Sequence, residues 1–170
     1  MEKNLNMTKT KKYVLCIAGS RDLYDYSLID RAMAMYNINL EDIKEIISGG
    51  AKGVDTNARK FAEFHKIKFK EYPADWKNLK HQDAIIVDGP YGKYDKKAGY
   101  RRNSILAEKS DKLLAITNGS NGTEHMIECM KKLGKQYFVY EVDPPNITKS
   151  NDRTIIDQKK GVEGVDYFVF

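Results

Sequence analysis

The sequence predicts an α/β fold in which a doubly wound, mainly parallel sheet of five or more strands has helices on both faces. Short apolar runs alternate with helical patterns along the chain, several runs end in glycine-bearing turns, and proline ends others. Alternation of this kind favours a parallel sheet, because each crossover helix returns the chain to the end of the sheet where the next strand begins. The expected architecture is therefore Rossmann-like.

The predicted strands are short. The first, 13–18, is an apolar run ended by Gly19, as is typical of a parallel strand buried on both faces. The second, 45–48, is closed by Gly49 and Gly50. The remaining predicted strands are 68–72, a possible short strand at 84–87, then 112–117 and 136–142.

Helical spacing of apolar residues predicts helices over 26–36, 54–65, 102–110 and 123–133. Asp55 lies in the first turn of the second helix, where acidic side chains are favoured, and Gly134 is a good C-cap for the last. Residues 74–98 are irregular. A loop of this length inside a compact domain is usually functional.

The 170 residues fit a single domain. We expect a flexible lead over 1–12, the Rossmann-like domain over 13–142 and an extension over 143–170. The lead is polar and lysine-rich, unlike a signal peptide, and no apolar run approaches the roughly 20 residues of a membrane span. Cys16 and Cys129 lie in apolar stretches and are expected to be reduced core residues, which favours a cytoplasmic protein.

The charge pattern favours a small anionic ligand over a nucleic acid. The formal net charge is +5, but the basic residues are spread along the chain rather than clustered in a stripe. The histidines and cysteines show no metal-ligand spacing, and we predict neither a metal nor a cofactor. Self-association into a dimer or larger homo-oligomer is expected, and a membrane partner is not.

Three predicted strands end in glycine-bearing loops that lead to helices: 18–22, 48–55 and 118–123. In a parallel sheet these loops emerge at one edge, where open α/β proteins bind ligands. Glycine lets the backbone approach a ligand closely, and the N–H groups of a following helix attract an anion. None of the loops has the dinucleotide or Walker A spacing. A single such loop is usually structural, but three at one edge predict a phosphate or nucleotide site.

The loop residues predicted to bind this ligand are Gly19, Ser20, Arg21, Asp22, Ser48, Gly49, Gly50, Ala51, Gly53, Val54, Asp55, Asn118, Gly119, Gly122 and Thr123.

The segment Arg101-Arg102-Asn103 adds positive charge to the predicted site. The planar guanidinium group suits bidentate contact with phosphate. Arg102 and Asn103 are predicted at the start of a helix, which would aim them at the same crevice. The alternative is a solvated pair of arginines on the helix surface.

Asp22, Asp55 and Asp75 are candidates for hydrogen bonds to ribose hydroxyls, as acidic residues are in nucleotide-binding folds. Helix capping is the competing interpretation for Asp55 because of its first-turn position. Trp76 could stack on a base or wall the pocket, and core packing explains it equally well.

With these motifs, the chain resembles the YspA-like, YpsA-related branch of the SLOG superfamily. The resemblance spans about residues 13–141; the tail after Asp143 lies outside it, and the stretch between Trp76 and Lys97 is longer than usual. The matching stretches are 17–22, 47–55, 72–76, 97–103, and Gly119 with Gly122 and Thr123. The resemblance implies a Rossmann-like fold and a nucleotide-derived ligand.

The resemblance leaves the activity open between a binder, which senses or sequesters a nucleotide signal, and a phosphoribohydrolase, which cleaves the N-glycosidic bond of a nucleoside monophosphate. In the hydrolase relatives the catalytic glutamate follows the Gly-Thr pair by three residues, where this chain has Met126. Methionine cannot replace a carboxylate in this chemistry. Glu124, Asp22, Asp55 or Asp75 could supply one, although a favourable first-turn charge is the better explanation of Glu124.

A third hypothesis is that the protein binds single-stranded DNA, by analogy with the DNA-processing protein DprA. Such binding needs a basic groove with stacking aromatic side chains, for which Tyr91, Tyr94 and Tyr100 are candidates. The same tyrosines could equally form a lid over the small-molecule pocket.

Overall fold

A computed structural model of the chain describes residues 10–143. In chain order the strands are β1 (Tyr13–Gly19), β2 (Ile43–Ser48), β3 (Lys68–Glu71), β4 (Ile86–Gly89), β5 (Gly92–Asp95), β6 (Lys112–Thr117) and β7 (Gln136–Glu141). The α-helices are α1 (Ser27–Met35), α2 (Val54–Phe64), α3 (Ala98–Lys109) and α4 (Asn121–Lys132), and one 3-10 turn covers Leu40–Asp42.

The main sheet is fully parallel and has the strand order β3-β2-β1-β6-β7. The chain runs outward from β1 to β3, then crosses back to place β6 against the free side of β1. In that register Cys16 of β1 lies between Ile47 of β2 and Leu113 of β6. The reversal of direction between β1 and β6 opens a crevice at the carboxyl ends of these two strands, the place where doubly wound proteins bind ligands.

Side chains alternate across the sheet and form two cores, which confirms helices on both faces. Leu15 and Ile17 of β1 pack in the core that contains residues of α1 and α2, including Phe61. Cys16 and Ala18, pointing the opposite way, pack in the core that contains residues of α3 and α4. Both cysteines of the chain are free and buried, as expected.

The irregular stretch contains a two-stranded antiparallel hairpin, formed by β4 and β5. The sequence predicted only a possible strand over 84–87. The observed strand, β4, begins two residues later, and its partner β5 was not predicted. Val87 pairs with Tyr94, and Gly89 pairs with Gly92 across a tight turn in which Gly92 has a φ of 102°. Glycine is required there because this φ is unfavourable for other residues.

The hairpin is attached to the main domain through the fully buried Asp95. One carboxylate oxygen accepts the N–H groups of Ile85 at 2.9 Å and Lys97 at 3.0 Å. The other pairs with the guanidinium group of Arg101, which also contacts Asp83 at 2.7 Å. The hairpin is therefore held against the beginning of α3.

Helix α3 begins at Ala98, four residues before the predicted start at Arg102, and this prediction was wrong. Gly99 lowers intrinsic helix propensity, but Ala98 and Gly99 are both buried in the first turn, where tertiary packing outweighs propensity. Arg102 and Asn103 consequently lie in the second turn of the helix. The other predicted helices and main-sheet strands agree with the structure to within two residues at each end. Within residues 10–143, no helix is both long enough and apolar enough to cross a membrane.

Candidate ligand-binding site

The three glycine-bearing loops meet at Ser20, directly after β1. The Ser20 hydroxyl donates to the Ser120 hydroxyl at 3.0 Å and accepts the N–H of Asn118 at 3.1 Å. The Ser20 carbonyl accepts a long hydrogen bond, 3.5 Å, from the N–H of Val54. Ser20 itself is buried, so it joins the loops and its side chain faces protein rather than solvent.

The loops enclose a crevice between α2, α3 and α4. Its walls are Ala18, Gly19, Asp55, Arg102, Asn103, Leu106, Gly122, Thr123 and Met126. The enclosed bottom is about as large as one water molecule, and the mouth opens to solvent. The bottom of this crevice can therefore accept a hydroxyl-sized group but not an aromatic base.

Two helices begin at the crevice without side-chain caps. Ser120, at the N-terminus of α4, makes no capping bond to the helix N–H groups, and its hydroxyl instead shares a 2.8 Å hydrogen bond with Thr123. Gly53, at the start of α2, has no side chain to cap with. First-turn N–H groups attract anions, and a positive dipole end adds to this attraction.

Gly53 also explains how closely the first two loops pack. Its φ is 71°, and a Cβ at this position would overlap the backbone carbonyls of Arg21 and Ser20. Only glycine fits this contact without moving one of the loops.

Arg102 is almost entirely buried and reaches beneath the loop after β2. Its guanidinium group donates to the carbonyls of Gly49 and of Tyr72, the latter at 3.4 Å, and to Asn103 Oδ1 at 3.2 Å. A Cβ on Gly49 would overlap the guanidinium group, which explains glycine there. Burial lowers the pKa of Arg102, while the nearby carboxyl group of Asp55 opposes the change. The side chain thus places positive charge in the wall of the crevice.

Asp55 is 3% exposed and has only one of its two carboxylate oxygens in a hydrogen bond. Oδ2 accepts the N–H of Ala51 at 3.1 Å, in the loop before α2, so it binds this loop and does not cap the helix as the competing interpretation expected. Oδ1 is buried and has no hydrogen-bond partner of ordinary geometry within residues 10–143. Burial raises the pKa of Asp55, while the charge of Arg102, the Ala51 N–H and the nearby Ser48 hydroxyl and Gly19 N–H oppose the rise. An unpaired buried oxygen of this kind is rare in folded proteins and calls for an explanation.

Asn103 connects α3 to the beginning of α4. Its side-chain Nδ2 donates to the Gly122 carbonyl at 3.1 Å and lies 3.2 Å from Nδ1 of His125. Its Oδ1 accepts the hydrogen bond from Arg102. With both ends of the amide engaged, Asn103 fixes the position of the α4 N-terminus relative to Arg102.

Other predicted loop residues lie around the crevice rather than in its walls. Asp22 accepts a 2.8 Å hydrogen bond from the Asn118 side chain, so these two residues link the first and third loops. Ser48 is buried and donates to the Ile17 carbonyl at 2.6 Å. Gly119 and Gly50 are exposed.

Several predicted residues lie outside the crevice walls. Arg101 is engaged by Asp83 and Asp95 at the base of the hairpin, whereas Arg102 lies in the crevice wall. Asp75 is exposed, and the ring of Trp76 packs edge-on against Tyr94 with centroids 6.2 Å apart. Glu124 is exposed in the first turn of α4.

Sequence reasoning did not include Leu106, Ala18 and Met126 among the residues lining the crevice. Leu106 lies one turn beyond Arg102 and Asn103, so helical spacing could have indicated it. Met126 occupies the next position along α4 on the same side as Thr123, three residues earlier.

The first half of the sheet carries the sequence signature of a known family. Residues 13–79 match the model of the YspA, cpYpsA-related SLOG family, named YAcAr. Over this segment, which is less than half of the chain, the protein is similar to the SLOG family. The match runs from β1 past β3 and includes the loops that carry Ser20 and Asp55, and the five-stranded parallel sheet agrees with it. No curated protein shows significant similarity to the chain.

Residues 10–143 contain no group of three or more histidine, cysteine, aspartate or glutamate side chains that could hold a metal ion.

Proposed function

We propose that this protein binds a phosphate-bearing, nucleotide-derived small molecule in the crevice, and that it senses or sequesters this molecule. The observation that carries the proposal is the convergence of two uncapped helix N-termini with the buried guanidinium group of Arg102. Backbone N–H groups, positive helix ends and a fixed arginine together provide a site for a phosphate group.

The shape of the crevice supports a particular placement of the ligand. Its narrow bottom excludes a base, whereas the exposed loops at the mouth leave space for larger groups. The phosphate would contact the first-turn amides of α4, the sugar would face the bottom, and the base would extend towards solvent.

Met126 favours binding over cleavage of the N-glycosidic bond. Its side chain lines the crevice at the position that a glutamate occupies in the hydrolase relatives. Glu124 is exposed and is not among the lining residues, so the lining carboxylate is Asp55. Asp55 is held by Ala51 and is close to the charge of Arg102.

The candidate tyrosines do not support a single-stranded DNA site. Tyr91 is exposed at the hairpin turn, but Tyr94 is buried against Trp76. Tyr100 packs edge-on against His125, with centroids 4.3 Å apart. The three rings therefore have different surroundings and do not form one stacking platform. A cytoplasmic location and self-association remain part of the proposal.

The proposal is tested by placing a fixed negative charge at the helix terminus that would hold the phosphate. Asn121 is exposed and is the first residue of α4. Asn121→Asp should stabilise the helix by about 0.3–1 kcal/mol through its dipole, but repel a phosphate. Calorimetry against nucleoside monophosphates and cyclic nucleotides should show binding to the unmodified chain that weakens by about tenfold or more in the variant, a loss of about 1.4 kcal/mol.

Gln136→Glu is the matched control, because it makes the same change of charge at the start of β7, the opposite end of the sheet. Its affinity should equal that of the unmodified chain. Equal weakening in both variants, or no binding of any nucleotide to the unmodified chain, would contradict the proposed site. Release of free base from a nucleoside monophosphate, abolished by Asp55→Asn, would favour the hydrolase alternative.

A further inference from the structure

The unpaired oxygen of Asp55 identifies a second requirement of the ligand, beyond phosphate. Oδ1 lies in a buried residue that lines the crevice, and it has no hydrogen-bond partner of ordinary geometry among the described residues. The Gly19 N–H and the Ser48 hydroxyl lie near enough to the carboxyl group to lower its pKa, but the Ser48 hydroxyl donates its hydrogen to the Ile17 carbonyl. We propose that Asp55 recognises a ribose hydroxyl, so that the site selects ribose-containing ligands over deoxyribose-containing ones. This inference rests on the proposed function, because the phosphate places the sugar at the crevice.

Two other polar side chains of the crevice wall have protein partners. The Asn103 amide is engaged by Gly122 and Arg102, and the Thr123 hydroxyl shares its hydrogen bond with Ser120. Asp55 Oδ1, by contrast, is a buried side-chain oxygen for which residues 10–143 provide no hydrogen-bond partner. A ligand group that donates a hydrogen bond to this oxygen binds more tightly than a group that only fills the space, because the second leaves a buried oxygen without a hydrogen bond.

A hydroxyl group is the ligand group that fits this oxygen chemically. Burial raises the pKa of Asp55, while the charge of Arg102 and hydrogen bonds to the carboxyl group oppose the rise. An ionised carboxylate only accepts hydrogen bonds, whereas a protonated one also donates. A hydroxyl group pairs with both forms, a phosphate oxygen is repelled by the ionised form, and an ammonium group cannot accept from the protonated form.

The size of the enclosed space also favours a hydroxyl group. Space for about one water molecule matches a hydroxyl substituent on a sugar ring, and it is too small for an amide or a carboxylate with its attached carbon atoms. No side chain caps the N-terminus of α2 or α4, so first-turn N–H groups other than that of Val54 can bind the phosphate of the same ligand. A ribose 5-phosphate unit contains both groups and is independent of the base.

The experiment titrates the full chain with ribose 5-phosphate, its 2-deoxy and 3-deoxy analogues and inorganic phosphate, and follows backbone amide chemical shifts by NMR. At least one deoxy analogue should bind about tenfold or more weakly than ribose 5-phosphate, as expected for loss of a hydrogen bond to a charged group. In Asp55→Ala this difference should fall to about threefold or less. Asp75→Ala, at an exposed aspartate outside the crevice, should keep it.

The outcomes separate this inference from the proposed function. Equal binding of all three sugar phosphates to the unmodified chain overturns the hydroxyl assignment and leaves phosphate binding intact. Selectivity that persists in a folded Asp55→Ala variant overturns the role of Asp55. Absence of binding by all four probes overturns the proposed function itself. If Asp55→Ala does not fold, the comparison of sugars on the unmodified chain still decides the inference.

Discussion

Arg101 and Arg102 are adjacent in α3, yet their guanidinium groups hold different parts of the molecule. Arg101 pairs with Asp95 at the base of the hairpin, and Arg102 donates to the Gly49 carbonyl beneath the loop after β2. Neighbouring helical residues point about 100° apart, so one turn of α3 reaches both regions. The hairpin and the crevice are therefore fixed to the same short piece of helix.

Removing the charge of Arg102 should destabilise the whole domain. Arg102→Met leaves the buried carboxyl group of Asp55 without its nearby positive charge and removes hydrogen bonds to two carbonyls. Leaving a buried acceptor without its hydrogen-bond donor costs about 1–3 kcal/mol. Urea unfolding at neutral pH should show a clearly lower midpoint. Arg59→Met, at an exposed position in α2, should change it little, and similar midpoints for both variants would refute the buried role of Arg102.

Arg101→Met should loosen the hairpin more than the main sheet. The substitution removes the side-chain partner of Asp95, but the N–H groups of Ile85 and Lys97 still donate to this carboxylate. Hydrogen exchange should therefore accelerate across 86–95, while the strands of the main sheet stay protected. Uniform acceleration in β1 and β6 as well would show that the hairpin is not a separate unit of stability.

The environment of Asp95 predicts an acid-sensitive contribution to stability. Burial alone would raise the pKa of Asp95, but hydrogen bonds from Arg101, Lys97 and Ile85 lower it below the ordinary value of 3.8. A carboxyl group with a lowered pKa stabilises the fold above 3.8, and this contribution disappears as the pH falls through the lowered value. The free energy of unfolding should thus differ between the unmodified chain and Asp95→Asn near neutral pH, and the difference should shrink below 3.8.

Urea unfolding measured over a series of pH values tests this expectation. Asp75→Asn is the matched control, because Asp75 is exposed. If the difference in the free energy of unfolding between the unmodified chain and Asp95→Asn grows as the pH falls, the expectation is contradicted.

Lys135 should stabilise the end of α3 from outside the helix. Its ammonium group donates to the carbonyls of Ala107, Glu108 and Ser110 at 2.8, 3.0 and 2.7 Å. Carbonyls at a helix C-terminus lack helical partners and favour a cation, so Lys135→Met should cost about 1–2 kcal/mol. Thermal or urea unfolding measures this loss, with Lys60→Met at an exposed position of α2 as the control. Equal stability of the two variants would exclude the capping role.

The regular part of the fold was predictable because its apolar periodicity is strong. Residues 113–116 are apolar and are flanked by Lys112 and Thr117, and the observed β6 has the predicted bounds, 112–117. The hairpin was not predictable in the same way. β4 and β5 are four residues each and contain charged residues and glycine, so they show no clear alternation of apolar and polar side chains.

The candidate site also has a part that the sequence predicts and a part that it does not. Glycine spacing brought the three loops to one edge, since parallel topology alone places them there. The distinction between Arg101 and Arg102 depends on the rotation of α3 about its axis, which the true start of the helix at Ala98 determines. The unpaired oxygen of Asp55 depends on which atoms of neighbouring loops reach it, and no local pattern in the sequence carries that information.

The segment that matches the family contains β1 but only one of the two strands that pair with it. β1 is the central strand of the sheet, and residues 13–79 supply its neighbour β2 but not β6, which covers its other edge. The same segment contains Gly49 but not the arginine that supports the Gly49 carbonyl. A polypeptide that ends at residue 79 would leave one edge of this central strand without its partner. The stretch that matches the family is therefore shorter than the sheet to which it contributes.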